Sequence, residues 1–440
     1  MKRYALEQLV AWSRKENGRR KPLILTGARQ VGKTWLMREL ARAAGMKEAY
    51  VNLMDTPVAI RAFEGTLNVQ DILVALSAAC GTEITPGDTL IILDEIQESE
   101  RVLNALKFLR ENAPQYHIVA AGSLLGVAIR KRRMSFPVGQ VEFFKLHPLG
   151  FCEFLEAIGQ ERLARVLSER NMPLIDTLSE VYERYLRQYL CVGGMPEAVA
   201  VYAPSGDFSA ARAAHRNILD SYEADFSKYT EASNILRIRA VWQSLPRQLA
   251  AENQKFTYNR VAKGARGREY DAAIDWLHTC GLVHKVRRIS KPSLPLKAYL
   301  DESAFKLYML DCGLMCTMAG LDPATVLEGD GLFSEFKGAL TEQYVLQTLK
   351  LRDDLPLGYW ANTTGAAEVD FVVQHAGQNI PLEVKSGTNL KSKSLAAYRA
   401  KFNQRLAVRT SLAHFGEVDG LRSIPLYAME QICTYLAARP

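Results

Sequence analysis

The sequence contains no uninterrupted apolar run of the roughly 18 residues that a membrane-crossing helix requires. The best candidate, residues 118–129, is shorter, carries Gly122, Ser123 and Gly126, and runs into a basic cluster at Arg130, Lys131, Arg132 and Arg133. No membrane association is expected. The first residues, MKRYALEQLVAW, begin basic but soon turn polar, which is not the pattern of a secretory leader. Cysteine is scarce: seven residues (Cys80, Cys152, Cys191, Cys280, Cys312, Cys316 and Cys433), odd in number, scattered and mostly within apolar stretches. That excludes a disulfide scaffold and implies reduced core thiols in a cytoplasmic protein. With 48% hydrophobic, 23% charged and 9% aromatic residues, the chain is neither disordered nor collagen-like. Its 440 residues suffice for about three domains at about 150 residues each.

The formal net charge of +7 is unevenly placed. Residues 231–300 hold thirteen Lys/Arg against five Asp/Glu, a net of +8, so the rest of the chain carries −1. A concentrated excess of this kind suits a polyanion partner, and nucleic acid, DNA in particular, is the one expected; a merely solvated basic surface would look the same.

Residues 22–26, PLILT, form a short strand-like run leading into Gly27, Ala28, Arg29, Gln30, Val31, Gly32, Lys33 and Thr34. This is a complete G-x-x-x-x-G-K-T phosphate loop, and the helix-forming residues 35–44 follow it. Glycines let the backbone wrap so that its N–H groups and the helix N-terminus face phosphates. Lys33 neutralises β/γ charge and Thr34 is a Mg²⁺ ligand type. A fully apolar strand, residues 89–93, then ends in Asp94 and Glu95. Asp94 is expected to hold Mg²⁺ through water and Glu95 to orient and deprotonate the attacking water. A third strand, residues 117–121, precedes Ser123, the candidate sensor of the γ-phosphate. Further strands are expected at residues 49–53 and 141–146, completing a five-stranded α/β core. ATP and Mg²⁺ are the cofactors this reading requires.

The stretches PLILTGARQVGKT, IILDE, FPVGQVEFFKLHPLGFCEFL and CVGGMPEAV resemble a bacterial family of AAA-type ATPases with a C-terminal domain of unknown function. That family is related to archaeal ATPases of the signal-transduction (STAND) type. The resemblance spans residues 3–430 or so and implies an ASCE-type ATPase core, a helical lid, a winged helix and a C-terminal nuclease-like fold. Gln140 stands where relatives usually have a basic residue, which leaves Arg130, Arg132 and Arg133 as candidates for the arginine that completes hydrolysis in trans. A homo-oligomer would supply it.

Residues 151–235 show helical periodicity, interrupted at Gly193, Gly194, Met195 and Pro196, as in a lid beside an ATPase core. Within 236–310, amphipathic patterns at 238–250 and 269–277 flank a basic turn with Lys263, Arg266 and Arg268. A strand-like run over 282–289 holds Lys285, Arg287 and Arg288, and a return is expected at 296–300. Helix, basic turn, helix and ribbon is a winged-helix layout, in which these six cations would contact phosphates. Protein docking is the competing use of such a module. His278, Cys280 and His284, and likewise Cys312 and Cys316, mimic metal spacing but lack the four ligands of a closed zinc site, so they are expected to be core or helix-end residues.

Near the C-terminus, Glu342 sits among Leu340, Val345 and Leu346 of a helix-like stretch. Glu368 and Asp370 begin one strand-like run, residues 368–373, and Glu383 and Lys385 share a face of the next at i and i+2. This looks like the PD-(D/E)XK nuclease motif. The resemblance implies that Asp370 and Glu383 hold one or two Mg²⁺ ions with Glu342 assisting, while Lys385 positions water or offsets phosphate charge. The expected architecture is therefore α/β. It comprises a P-loop AAA-type parallel-sheet core (1–155), a helical lid (156–235), a winged helix (236–330) and a PD-(D/E)XK-like domain (331–440). The expected function is ATP hydrolysis coupled to action on DNA, with a regulatory or remodelling ATPase whose C-terminal fold is catalytically silent as the alternative.

Overall fold

Helix α1 (Ala5–Ser13) precedes five parallel strands: β1 (Leu23–Thr26), β2 (Lys47–Asn52), β3 (Thr89–Asp94), β4 (His117–Ala121) and β5 (Glu142–Lys145). In this computed structural model the described residues are 1–64, 68–122, 125–126, 139–227, 232–251, 254–328, 334–362, 367–388 and 392–437. The five strands lie where the sequence places them. Their order is β2-β3-β4-β1-β5, which sets β4 between the strand leading into the phosphate loop and the strand ending in Asp94. Every residue of β3 and β4 is buried, the consequence of helices covering both faces of a parallel sheet.

Those helices are α2 (Lys33–Ala43), α3 (Pro57–Arg61), α4 (Val69–Cys80) and α5 (Glu100–Asn112). Asn68 caps α4 by accepting from the Gln70 and Asp71 N–H groups, and Ser99 caps α5 by accepting from Val102. Ile72 and Leu76 of α4 and Leu103 and Leu106 of α5 pack on Val51, Ile91, Leu93 and Ile118 of the sheet. Each such aliphatic side chain contributes about 1.5–3 kcal/mol by leaving water. Arg3–His147 with Thr279–Gly281 form one compact unit; Met1–Lys2, Pro148–His278 and Leu282–Pro440 form the other.

The second unit opens with α6 (Phe151–Ala157), α7 (Glu161–Glu169), α8 (Met172–Thr177), α9 (Ser179–Val192), α10 (Pro196–Tyr202) and α11 (Phe208–Asp225). The Gly-Gly-Met-Pro break falls between α9 and α10, where Gly193 takes φ +65° and has no room for a Cβ beside Asp311. Next come α12 (Ala232–Leu249), α13 (Gly267–Thr279) and the hairpin β6 (Val283–Ile289) and β7 (Leu300–Met309). The return strand is therefore later and longer than the expected 296–300. Residues Leu296–Tyr299 form a 3-10 turn after Pro295, and the buried run from Ala304 to Met309 supplies the strand.

After α14 (Cys312–Met318), α15 (Pro323–Glu328) and α16 (Ser334–Lys350) come β8 (Leu357–Ala361), β9 (Glu368–His375) and β10 (Gln378–Val384). The chain closes with α17 (Lys393–Phe402), β11 (Ala407–Ser411), β12 (Gly416–Val418), β13 (Leu421–Pro425) and α18 (Ile432–Ala437). The sheet order is β12-β13-β11-β10-β9-β8-β6-β7. The basic ribbon is thus not detached: β6 pairs in parallel with β8 at Arg288 and Tyr359, and the hairpin continues the C-terminal sheet. Trp360, Val369 and Val372 of that sheet pack with Leu395 and Tyr398 of α17.

Candidate functional site

The phosphate loop is shaped by its glycines. Gly27 takes φ +134°, and a Cβ there would lie 2.3 Å from the Leu146 carbonyl oxygen, so only glycine lets the loop pass β5. Gln30 and Gly32 also take left-handed φ (65° and 93°), turning the chain into α2. The Lys33 ammonium, 8% exposed, donates to the carbonyls of Gly27 (3.0 Å) and Ala28 (2.7 Å) inside the loop. Burial pulls its pKa down to about 8, with Glu95 and then Asp94 opposing the fall.

Thr34 Oγ1 donates to Asp94 Oδ2 at 2.6 Å, so the two oxygens expected at Mg²⁺ are adjacent. A hydroxyl beside a carboxylate, next to a lysine at a helix N-terminus, fits a Mg²⁺–nucleotide group. Glu95 sits at the strand end with φ +54°, and Gln97 Nε2 donates to its Oε2 at 2.5 Å. Two participants went unread in the sequence. Tyr50 of β2 donates to Asp94 Oδ2 at 3.2 Å, and burial followed by Asp94 pushes its pKa up to about 12. Arg38 of α2 covers the Tyr50 ring at 4.2 Å. The only sequence signal was an aromatic residue on the strand next to β3. Gln140 Oε1 accepts from Arg110. Ser123, Arg130, Arg132 and Arg133 lie outside the described residues.

In the second unit, antiparallel β9 and β10 pair Phe371 with Leu382, and Asp370 and Glu383 are the residues next to that last pair. The Val384 N–H donates to Asp370 Oδ2 at 2.7 Å, and Lys385 Nζ donates to Glu383 Oε1 at 2.7 Å. Glu383 is 5% exposed and its Oε2 is buried with no hydrogen-bond partner. Burial, then Glu342 and Glu383, hold the Asp370 carboxyl well above its ordinary range, with Lys306 opposing. Lys385 is raised, Glu383 outweighing burial. The four expected residues therefore share one electrostatic site, and an orphaned carboxylate oxygen beside Asp370 suits a hard cation.

Glu342, on α16, faces other partners. Its Oε1 accepts from Gln254 (2.8 Å), and its Oε2 from Tyr308 (3.1 Å) and Lys306 (3.4 Å). Lys306 also meets Glu368 Oε1 at 2.5 Å. Among the described residues no group of three or more His, Cys, Asp or Glu side chains is placed to hold a metal ion. Lys306, Tyr308 and Gln254 were missed; a lysine in the middle of the apolar run 304–309 was the available signal.

Lys263, Arg266 and Arg268 are exposed on the turn before α13 and at its start. On β6, Lys285 lies over the Phe305 ring at 4.4 Å, whereas Arg287 is paired with Glu302 (2.6 Å) and Arg288 with Asp301 (2.5 Å). His284 and Cys280 are buried, and the Cys312 and Cys316 thiols point to the carbonyls of Tyr189 and Leu190. All seven cysteines are free thiols, and no described helix is long and apolar enough to cross a membrane.

Residues 19–155 match the family model described as an AAA domain. The chain carries an AAA-type P-loop ATPase domain. After it in the chain, residues 183–325 and 337–429 match two domains of unknown function, DUF8612 and DUF4143. No curated protein matches the chain. Among solved structures, the ATPase-containing chain is similar to the Walker-type ATPase PABY2304 of Pyrococcus abyssi. That match has TM-score 0.43 and 14% identity, covering 72% of this chain and 95% of that one. It is also similar to the Aeropyrum pernix ORC2 protein (TM-score 0.35, 12% identity, 78% and 94% covered). A third likeness is the Aeropyrum pernix ORC1 protein in complex with DNA (TM-score 0.27, 14% identity, 72% and 90% covered).

Proposed function

We propose that the protein hydrolyses ATP and acts on DNA, through a basic winged-helix segment and a Mg²⁺-dependent, nuclease-like carboxylate site. At the phosphate loop, the N–H groups of residues 27–34 bind the phosphates and Lys33 offsets β/γ charge. Thr34 and Asp94 are the residues that would hold Mg²⁺, whose role when bound is to neutralise charge on the transferred phosphoryl group. Glu95, steadied by Gln97 at 2.5 Å, orients the attacking water and takes its proton. Within the second unit we read residues 156–235 as a lid, 236–330 as a winged helix and 331–440 as the nuclease-like domain.

The DNA-processing part of the reading is carried by Glu383, whose buried Oε2 has no partner while Asp370 and Lys385 stand beside it. Asp370 and Glu383 would hold a divalent ion, which activates water and stabilises charge on a phosphodiester. Lys385 offsets the charge developing on phosphate. The exposed cations Lys263, Arg266 and Arg268 bind the DNA backbone, with Lys285, Arg287 and Arg288 adding to them along the ribbon.

The test is a panel of linear and branched DNA with Mg²⁺ or Mn²⁺, with and without ATP. Asp370→Ala and Lys385→Ala should abolish metal-dependent cleavage and spare ATP turnover, while Lys33→Ala should abolish turnover. Cleavage that survives both C-terminal substitutions belongs to a contaminant and removes the nuclease assignment. A second reading, a regulatory or remodelling ATPase with a silent C-terminal fold, is favoured by the three donors that already occupy Glu342. It predicts ATP turnover with no cleavage of any substrate in the panel.

A further inference from the structure

Lys306 is an ammonium in the middle of an apolar strand, with its side chain 1% exposed. Removing such a charge from water costs several kcal/mol unless partners replace the solvent. The partners are specific. Glu368 Oε1 lies at 2.5 Å, Glu342 Oε2 at 3.4 Å, and the face of the Tyr359 ring at 5.3 Å. Burial works against the charge, but Glu342, Tyr308, Glu368 and Asp370 together keep the amine protonated, its pKa well above the ordinary value. Tyr308, two positions along β7 and so on the same face, donates to the same Glu342 oxygen.

We propose that the Lys306 ammonium stands in for a second metal ion, so that the C-terminal site takes one divalent cation, held by Asp370 and Glu383. The proposal rests on the reading of that site as metal-binding and decides between the one-ion and two-ion forms. Two observations carry it. Both oxygens of Glu342 already accept hydrogen bonds, Oε1 from Gln254 and Oε2 from Tyr308 and Lys306, so a second ion there would compete with these donors and meet the Lys306 ammonium directly. The one buried carboxylate oxygen of the cluster without a partner, among the described residues, belongs to Glu383, on the Asp370 side.

Charge balance points the same way. The mutually interacting groups comprise four carboxylates (Glu342, Glu368, Asp370 and Glu383) and two ammoniums (Lys306 and Lys385). One divalent ion makes the cluster neutral when all four acids are ionised. Two would leave a buried excess of positive charge in the free protein, which is costly at low dielectric. Lys306 is accordingly a positioning residue. It holds Glu342 and Glu368 in place and reserves the cation site for the other pair.

The experiment counts Mn²⁺ bound per full-length chain without nucleotide, from the electron paramagnetic resonance signal of free Mn²⁺. The Asp370→Asn/Glu383→Gln double variant supplies the background. Wild type should bind one ion above that background, Lys306→Arg one, and Lys306→Met two, a doubling that a purely structural lysine would not produce. If Lys306→Met does not fold, Lys306→Gln, which removes the positive charge but keeps a donor for Glu368, takes its place and should also bind two. Two ions in wild type, or one in the folded lysine-free variant, overturns the proposal and leaves the metal-site reading standing. No ion above background in wild type overturns that reading, and the proposal with it.

Discussion

Raising the pH from 7 to 9 at constant ionic strength should weaken ATP binding by about tenfold, and the cause is Lys33. Its amine is buried within the loop, and burial brings its pKa from the ordinary 10.5 to about 8 despite Glu95 and Asp94. Only the protonated amine offsets β/γ charge, and bound phosphate in turn stabilises the proton. Well below pH 8 the affinity is therefore flat. One unit above, about a tenth of the chains are protonated, so binding must first recover a proton at a cost of about 1.4 kcal/mol. Titration calorimetry at both pH values, in two buffers of different ionisation enthalpy, measures the affinity and the uptake of nearly one proton at pH 9. The Lys33→Arg variant is the control, because a guanidinium does not titrate in this range and its affinity, weaker throughout, should not change with pH. The stability of the nucleotide-free ATPase domain moves in the opposite sense. Lys33 binds its proton less tightly folded than unfolded, so stability rises as pH climbs from about 8 towards 10.5. Through Lys33, unfolding therefore does not imitate the loss of ATP affinity. Equal affinity at pH 7 and 9, or an equally steep decline in Lys33→Arg, refutes the argument.

Gly27→Ala should destabilise the ATPase domain by about 3 kcal/mol or more, through a clash with the Leu146 carbonyl added to an unfavourable φ, and lower its melting temperature by about 6–12 °C. Gly18→Ala, at φ +85° but with open space around it, isolates the strain and should cost only about 1 kcal/mol; similar losses by thermal denaturation in both would contradict the packing account. Replacing Lys263, Arg266 and Arg268 together by Ala should flatten the dependence of DNA affinity on salt by about 2–3 in the log–log slope. Replacing Arg287 and Arg288 should change that slope by less, because each already faces a carboxylate; fluorescence anisotropy at several salt concentrations compares the two variants.

The phosphate loop was legible because everything that shapes it is contiguous. A strand, eight residues with glycines at fixed places and a helix start are local properties, and β3 announced itself by the unbroken apolar run from Leu90 to Leu93 before Asp94. The period of two along a strand likewise places Glu383 and Lys385 on one face from their spacing alone. What the period does not say is what lies opposite that face. Tyr50 at Asp94, and Lys306, Tyr308 and Gln254 at Glu342, come from segments 34–88 residues away in the chain.

The same limit hid the fate of the basic hairpin. Its cations were countable, but their pairing with Glu302 and Asp301 required the antiparallel register of β6 and β7, and the union of β6 with β8 required the open edge of a distant sheet. The amino-acid sequence by itself determined the nucleotide-binding loop, the parallel core around it and the identity of the charged residues. Tertiary structure alone decided which of those charges neutralise one another, because Coulomb energy depends on separation in space and on burial, and neither is encoded by position along the chain.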